Sequence, residues 1–308
     1  MTKGSDALAI SVQTRLNNLA RARGGLYQET VQHFATERFL YRLSTSAYQE
    51  QFVLKGGVVF AAWGIPLRRV TRDIDLHGVS PYTIDDVVTI LQAICRQSVP
   101  PDGLRFDAAS VRGEEIQGRA EHAGVRVRFM GYLGGVRIHM QIDVGFSDTV
   151  APPAIKMNYP SLLGMAEPHL SVYAYETVIA EKLQAMVFLG SMNSRMKDFY
   201  DIWLLSTQAA IDGNLLYGAI KTTFKSRSTH IPEEMPLALM REFAQSKQKE
   251  WAIFIKRTHI DTSNTPDFVD VIAQLNHFFM PVLEAVRMEA DFTALWTSQN
   301  GWYQRLEE

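Results

Sequence analysis

A single cysteine, Cys95, stands among the 308 residues, which excludes an intramolecular disulfide and a thiolate zinc cage and suits a reducing compartment. Equally missing is any unbroken apolar run near the roughly 20 residues that a membrane-spanning helix requires. The start, Met1-Thr2-Lys3-Gly4, leads into a polar, arginine-containing helix rather than an apolar core with a small-residue cleavage site. A cytoplasmic protein without membrane attachment is expected. Strong charge of one sign is lacking too: the formal net charge is −2, so the field of the whole chain does not concentrate nucleic acid as a basic domain would. Any RNA or DNA partner must be held by a local patch, such as Arg68-Arg69-Arg72, Arg126 with Arg128 and Arg137, or Lys221 with Lys225 and Arg227. No internal repeat or low-complexity tract is present.

What the chain does have is enough apolar material for a full core, at 46% hydrophobic residues, and a length that predicts two packed units. Helices are expected over about 7–22, where Leu8, Val12, Leu16 and Leu19 recur at helical spacing, and over 26–43, with Gly24-Gly25 between them. Phe52-Val53-Leu54-Lys55 then runs into the paired glycines Gly56-Gly57 and a short apolar stretch ending at Trp63. A strand follows from Arg72 to Gly78, in which Ile74 and Leu76 face one side and Asp73, Asp75 and His77 the other. Residues 83–97 form an amphipathic helix. The plainest β signal is 125–129, a turn region over 131–135, and Val136 to Asp143, whose alternation puts Arg137, His139, Gln141 and Asp143 on the polar face. Beyond a proline-containing stretch at 150–168 the pattern turns helical: Tyr173–Leu189, Arg195–Ser206, Asn214–Phe224, Pro236 to about Phe254, and Phe268 to about Arg287. Pro152-Pro153 marks the candidate boundary. The expected class is α+β, a small mixed sheet with flanking helices in residues 1–150 and a mostly helical unit in 151–308.

Three carboxylates on two strands, with Asp73 and Asp75 two residues apart and Asp143 on the other, are what a divalent cation needs beside a nucleoside triphosphate. Magnesium takes hard oxygen ligands and fills its octahedron with water and phosphate, and two such ions clamp the attacking and leaving oxygens of an in-line displacement. An acidic pair on an exposed strand face is by itself ordinary surface. Its weight comes from Gly56-Gly57 upstream, a turn into a helix that can offer backbone N–H groups to phosphate; paired glycines alone mean only a tight turn. Lys182 lies within the apolar stripe of its helix, either snorkelling to water or turned into a cleft to meet phosphate. Asp198 and Asp201 share one side of the next helix, either solvated or orienting Lys182 or the acceptor. Glu176 lies off the stripe, and His139 is as readily a structural hydrogen-bonder as a site residue.

Together these segments resemble the AbiEii/AbiGii family of toxin nucleotidyltransferases, the enzymatic halves of type IV toxin–antitoxin and phage-defence pairs. The resemblance lies in Lys55-Gly56-Gly57, Arg69 to Leu76, Ile142-Asp143-Val144, Tyr175-Glu176 with Ala180 to Ala185, and Arg195 to Asp201. It implies a DNA polymerase β-like fold with a helical C-terminal domain. The implied reaction transfers a nucleoside monophosphate from a nucleoside triphosphate to RNA, with the tRNA 3′ acceptor end as the family's known target, so that translation is blocked. Magnesium, or manganese, is the implied cofactor, and a cognate antitoxin the implied partner, with or without direct contact. Carried over by position, Lys55, Gly56, Gly57, Arg69 and Thr71 would hold the triphosphate, and Asp73, Asp75 and Asp143 the metal. Lys182, Asp198 and Asp201 would occupy the family's other required positions, contributed by the helical unit. Where the wider superfamily has glycine-serine, this chain has Gly56-Gly57, so backbone amides replace a serine contact. Two alternatives stand beside this reading: a nucleotidyltransferase acting on a small molecule such as an antibiotic, and a non-catalytic module that kept the fold as a scaffold.

Overall fold

Ala9, Val12, Leu16 and Ala20 form the buried stripe of α1 (Lys3–Ala22), which turns at Gly24, held at φ +64°, into α2 (Tyr27–Ser44). The computed structural model describes residues 3–66, 71, 73–116, 124–146, 149–258, 260 and 265–304, with side chains from residue 6 onward. Two compact units divide the chain: Met1–Ser147 with Ile155–Val172, and Asp148–Ala154 with Tyr173–Glu308.

The first unit is built on a seven-stranded mixed sheet. Its strands are β1 (Phe52–Lys55), β2 (Ile74–Gly78), β3 (Leu104–Glu115), β4 (Gly124–Leu133), β5 (Val136–Gly145), β6 (Ile155–Asn158) and β7 (His169–Val172), in the order β3-β4-β5-β2-β1-β7-β6. The β2–β5 and β1–β7 pairs are parallel and the others antiparallel. The stretch 150–168, expected only as a connection, thus contributes β6 and leads to β7, which extend the sheet beyond β1. The central hairpin turns at Gly134-Gly135, with Gly134 at φ +56°, and pairs Leu133 with Val136 outward to Gly124 with Gly145. That shortens the turn expected over 131–135, because Gly131 sits in the ladder, where a side chain would press on the Phe106 ring at 3.2 Å. The helix expected over 83–97 is α4 (Ile84–Cys95), started by a capping box in which Thr83 and Asp86 satisfy each other's backbone N–H groups. Between β1 and β2 lie a 3-10 turn over Gly56–Val58 and one turn of helix, α3 (Val59–Ala62).

Buried charges tie α2 to this sheet. Arg42 donates to both oxygens of Asp102, at 2.7 and 3.1 Å, while Glu37 accepts from the Ser161 hydroxyl and the Leu162 N–H. The second unit holds α5 (Tyr175–Leu189), α6 (Met196–Gln208), α7 (Gly213–Ser226), α8 (Arg241–Arg257) and α9 (Phe268–Met288). It also carries a three-stranded sheet of β8 (Ile211–Asp212), β9 (Leu295–Thr297) and β10 (Gly301–Tyr303), strands that the expectation of a mostly helical unit did not place. Its core is aromatic: Trp251 stacks on Phe268 at 4.9 Å, and Phe199 and Phe243 close around them. Extended backbone at Pro236 and Met240 brackets a 3-10 turn, so α8 begins at Arg241 rather than at the proline. Among the described residues no helix is long and apolar enough to cross a membrane.

Candidate active site

Alternation along β2 and β5 buries Ile74, Leu76, Ile142 and Val144 and turns Asp75 and Asp143 to the opposite face. Register then aligns a row of charged side chains across five strands. Lys55 on β1 stands opposite Asp75 on β2, Asp75 beside Asp143 on β5, Asp143 opposite Arg126 on β4, and Arg126 opposite Glu114 on β3. Asp75 and Asp143 stand in register because β2 pairs with β5, which brings distant segments of sequence side by side.

Each carboxylate has a different setting. Gly56, at φ +69°, lies directly under Asp75: an added Cβ would fall 2.0 Å from Asp75 Oδ2. A glycine is therefore required twice at this point, for its left-handed backbone and for the space the carboxylate occupies. Gly57 is buried in the 3-10 turn that follows. Asp143 accepts from Arg126 through both oxygens, from Nε at 2.9 Å and from Nη2 at 2.6 Å. The Asp143 hydrogen bond and the nearby charges of Asp143, Asp73 and Glu114 hold the Arg126 guanidinium above its ordinary pKa, against the lowering effect of burial. Asp73, just before β2, is exposed. The Lys55 ammonium extends toward β5, where Gly145 leaves space, its Nζ 3.4 Å from where a Cβ would sit.

Among the described residues no group of three or more His, Cys, Asp or Glu side chains is placed to hold a metal ion. The donors that suit a divalent cation are Asp73 and Asp75, two hard oxygen ligands that leave the rest of an octahedron to water and phosphate. Asp143, beside Asp75, already has its charge balanced by Arg126. Thr71 and Gly57 line a neighbouring cavity of about 570 Å³ with His33 and Tyr159, whose side chains meet at 2.9 Å. Burial, aided by Arg23, pushes His33 down to about 4, so its imidazole is neutral at physiological pH. Arg69, with Arg68 and Arg72, lies outside the described residues.

In the second unit, α5 and α6 bring Lys182, Asp198 and Asp201 together. Lys182 Nζ lies 2.6 Å from Asp198 Oδ1 and 2.8 Å from Asp201 Oδ2, with both aspartates buried and the lysine side chain 11% exposed. Arg195 Nε adds an ion pair to Asp198 Oδ2 at 2.6 Å, without the alignment of a hydrogen bond. Burial pushes the Asp198 carboxyl up, but Lys182 and Arg195 outweigh it and hold it below the ordinary aspartate value. Glu176, placed off the apolar stripe by periodicity, is buried and receives the Asp212 N–H at 3.4 Å, because the N-terminal half of α5 is enclosed nearly all round.

From sequence Arg126 stands out only as a patch residue, not as the partner of Asp143, and nothing in the sequence pattern marks His33, Tyr159, Tyr27 or Arg112. The hairpin pattern carried a usable signal, since counting outward from a two-residue turn at Gly134-Gly135 pairs 126 with 143.

The family model described as "Nucleotidyl transferase AbiEii toxin, Type IV TA system" matches residues 38–274. Among solved structures, an H. pylori protein assigned as a nucleotidyltransferase is similar with 12% identity and a TM-score of 0.45, over 85% of this chain and 98% of its own. JHP933 from Helicobacter pylori is similar with 12% identity and a TM-score of 0.43, over 82% of this chain and 90% of its own. No curated protein matches the sequence.

Proposed function

The chain belongs to the AbiEii family of type IV toxin–antitoxin nucleotidyltransferases, and from that premise we propose that it transfers a nucleoside monophosphate to RNA, with the tRNA 3′ end as the first candidate acceptor. Membership makes it a nucleotidyltransferase toxin with a nucleoside triphosphate substrate and an antitoxin partner. The observation that carries the proposal is the Asp75 carboxylate seated over the bare Cα of Gly56, with Asp143 in register beside it.

In this reading the Gly56-Gly57 turn lets the triphosphate approach the backbone, and the Lys55 ammonium, with Arg69 and Thr71, balances phosphate charge. Asp73 and Asp75 would hold magnesium, or manganese in its place, and Asp143 would complete the set when Arg126 releases it. When bound, the cation neutralises the triphosphate and the departing pyrophosphate. The acceptor hydroxyl oxygen bonds to the α-phosphorus as the bond from that phosphorus to the bridging oxygen breaks. Pyrophosphate leaves, and Asp143, once Arg126 releases it, accepts the proton of the acceptor hydroxyl. Arg126 holds the Asp143 carboxylate in one orientation between turnovers. Lys182, Asp198 and Asp201 fix α5 against α6, so their part in activity is that of positioning residues. A block on aminoacylation, and through it growth arrest and phage defence, is the biological consequence.

Purified protein incubated with magnesium, total tRNA and each labelled nucleoside triphosphate in turn is expected to label RNA with at least one of the four, and Asp75→Asn to abolish the label. No labelled RNA with any nucleotide would overturn the RNA acceptor.

A further inference from the structure

The polar face of the first unit continues past the carboxylates. A groove of about 730 Å³ runs from Asp73 along β4 and β5, with the N-terminal turn of α2 as its opposite wall. Arg112, Arg128, Arg137 and His139 line it from the sheet, and Tyr27 and Gln28 from the helix. The wall is fixed, since Gln32 Nε2 donates to the His139 carbonyl at 3.2 Å. Among the described residues, Glu29 and, at the end, Asp73 are the acids that line it.

We infer that this groove is the track of the acceptor strand, holding the phosphates of single-stranded RNA on Arg112, Arg128 and Arg137, with a base stacked on Tyr27, so that the strand end reaches Asp73. The inference rests on the RNA-acceptor reading above and adds where the acceptor lies. Three features argue for a polyanionic single strand. First, the arginines line one continuous groove, although the chain as a whole is slightly acidic, so the positive field is local. Second, Arg128 and Arg137 are available, while Arg112 is exposed but donates through Nη1 to the Ala109 and Val111 carbonyls, both at 2.8 Å. Arg137 is exposed, and Arg128 is 53% exposed with an exposed partner, Glu114, at 2.6 Å; such a pair adds little and yields readily to phosphate. Third, a cationic groove with an aromatic platform is how proteins follow single strands without reading sequence. A small neutral acceptor has no use for three arginines leading away from the carboxylates.

The test uses full-length protein and a fluorescein-labelled single-stranded oligoribonucleotide, followed by anisotropy across a salt series and, separately, by nucleotide transfer to tRNA. Arg128→Gln with Arg137→Gln is expected to weaken oligonucleotide binding on the order of tenfold. The slope of log affinity against log salt should fall by about 1.4, two phosphate contacts at roughly 0.7 each on a single strand. Tyr27→Ala should weaken binding with the salt slope unchanged, because stacking releases no counterions. In transfer, the groove variants should raise KM for tRNA and leave KM for the nucleotide in place. Lys156→Gln with Lys249→Gln, which removes the same charge elsewhere, controls for the overall field. Equal losses in groove and control pairs, or no binding by the wild type, overturn the groove. Labelled tRNA with unchanged KM in the groove variants overturns the groove and keeps the RNA acceptor. Oligonucleotide binding that depends on the groove, without transfer to any RNA, overturns the acceptor reading and with it the groove's role as acceptor track, and leaves an RNA-binding groove.

Discussion

At the scale of single residues, the centre depends on one missing side chain. Gly56 combines a left-handed backbone with an Asp75 oxygen 2.0 Å from where its Cβ would be. Alanine there strains the backbone by about 1–2 kcal/mol and also displaces the carboxylate proposed to hold the cation. Gly56→Ala is therefore expected to lower nucleotide transfer by at least about a hundredfold, a loss of roughly 3 kcal/mol in transition-state stabilisation. The thermal transition should fall by only a few degrees, as seen by circular dichroism. Full activity in that variant would remove Asp75 from the site. The acids of this centre are legible from sequence because strand alternation turns Asp75, and separately Asp143, to the polar side, with Asp73 exposed just before β2. Their neighbours are less so. That Asp143 is held by Arg126 depends on the exact position of a two-residue turn, and three glycines within five residues at 131–135 leave that position open until Phe106 is seen packed against Gly131. Lys55 reaches toward Gly145 across β2, which separates β1 from β5 in the sheet, a closeness that no local sequence pattern marks.

Elements decide what Lys182 does. On a helical projection it is a cation in an apolar stripe, either snorkelling to water or turned into a cleft. In the folded unit, α6 answers it with two buried carboxylates, and Arg195 restores the balance of charge. Removing the lysine leaves Asp198 and Asp201 buried without their shared partner, at a cost of roughly 3–5 kcal/mol. Lys182→Met should thus lower the urea midpoint as well as activity; activity lost at unchanged stability would reassign the lysine to the chemistry. The same cluster sets a pH dependence. Because Asp198 is held below the ordinary aspartate value of 3.8, its ionised form stabilises the fold above that value, and the contribution is lost as pH falls through the depressed one. Stability curves of wild type and Asp198→Asn should lie apart at neutral pH and approach each other only in acid below the ordinary carboxylate range. Long periodic elements such as α5, α6 and α9 were readable from spacing, with ends displaced by a residue or two. Strands β6 and β7 were not: Ile155–Asn158 is exposed along most of its length, so no alternation marks it, and its place is set by pairing with β7.

For the whole molecule, the order of strands matters more than their number. The carboxylates sit on β2 and β5, and β2 pairs with β1, whose other edge is taken by β7 from beyond residue 150. The segment 155–172 also supplies partners to three side chains of α2: Glu37 accepts from Ser161 and Leu162, Arg38 donates to the Ala166 carbonyl at 2.6 Å, and His33 meets Tyr159. Burial raises the Glu37 carboxyl above its ordinary pKa even with those hydrogen bonds in place, so losing them leaves a buried acid with little beyond Arg38 beside it. The sequence boundary at Pro152-Pro153 reflects a change from strand to helix pattern along the chain, whereas the sheet closes over a later segment. A fragment of residues 1–150 is therefore expected to aggregate or to lack a cooperative thermal transition, because it exposes the β1 edge and strands Glu37 and Arg38. A fragment of residues 1–172 should be soluble, show mixed helix and strand by circular dichroism, and unfold cooperatively. Equal behaviour of the two fragments would mean that β7 and the 161–166 segment contribute nothing to the unit that carries Asp73, Asp75 and Asp143.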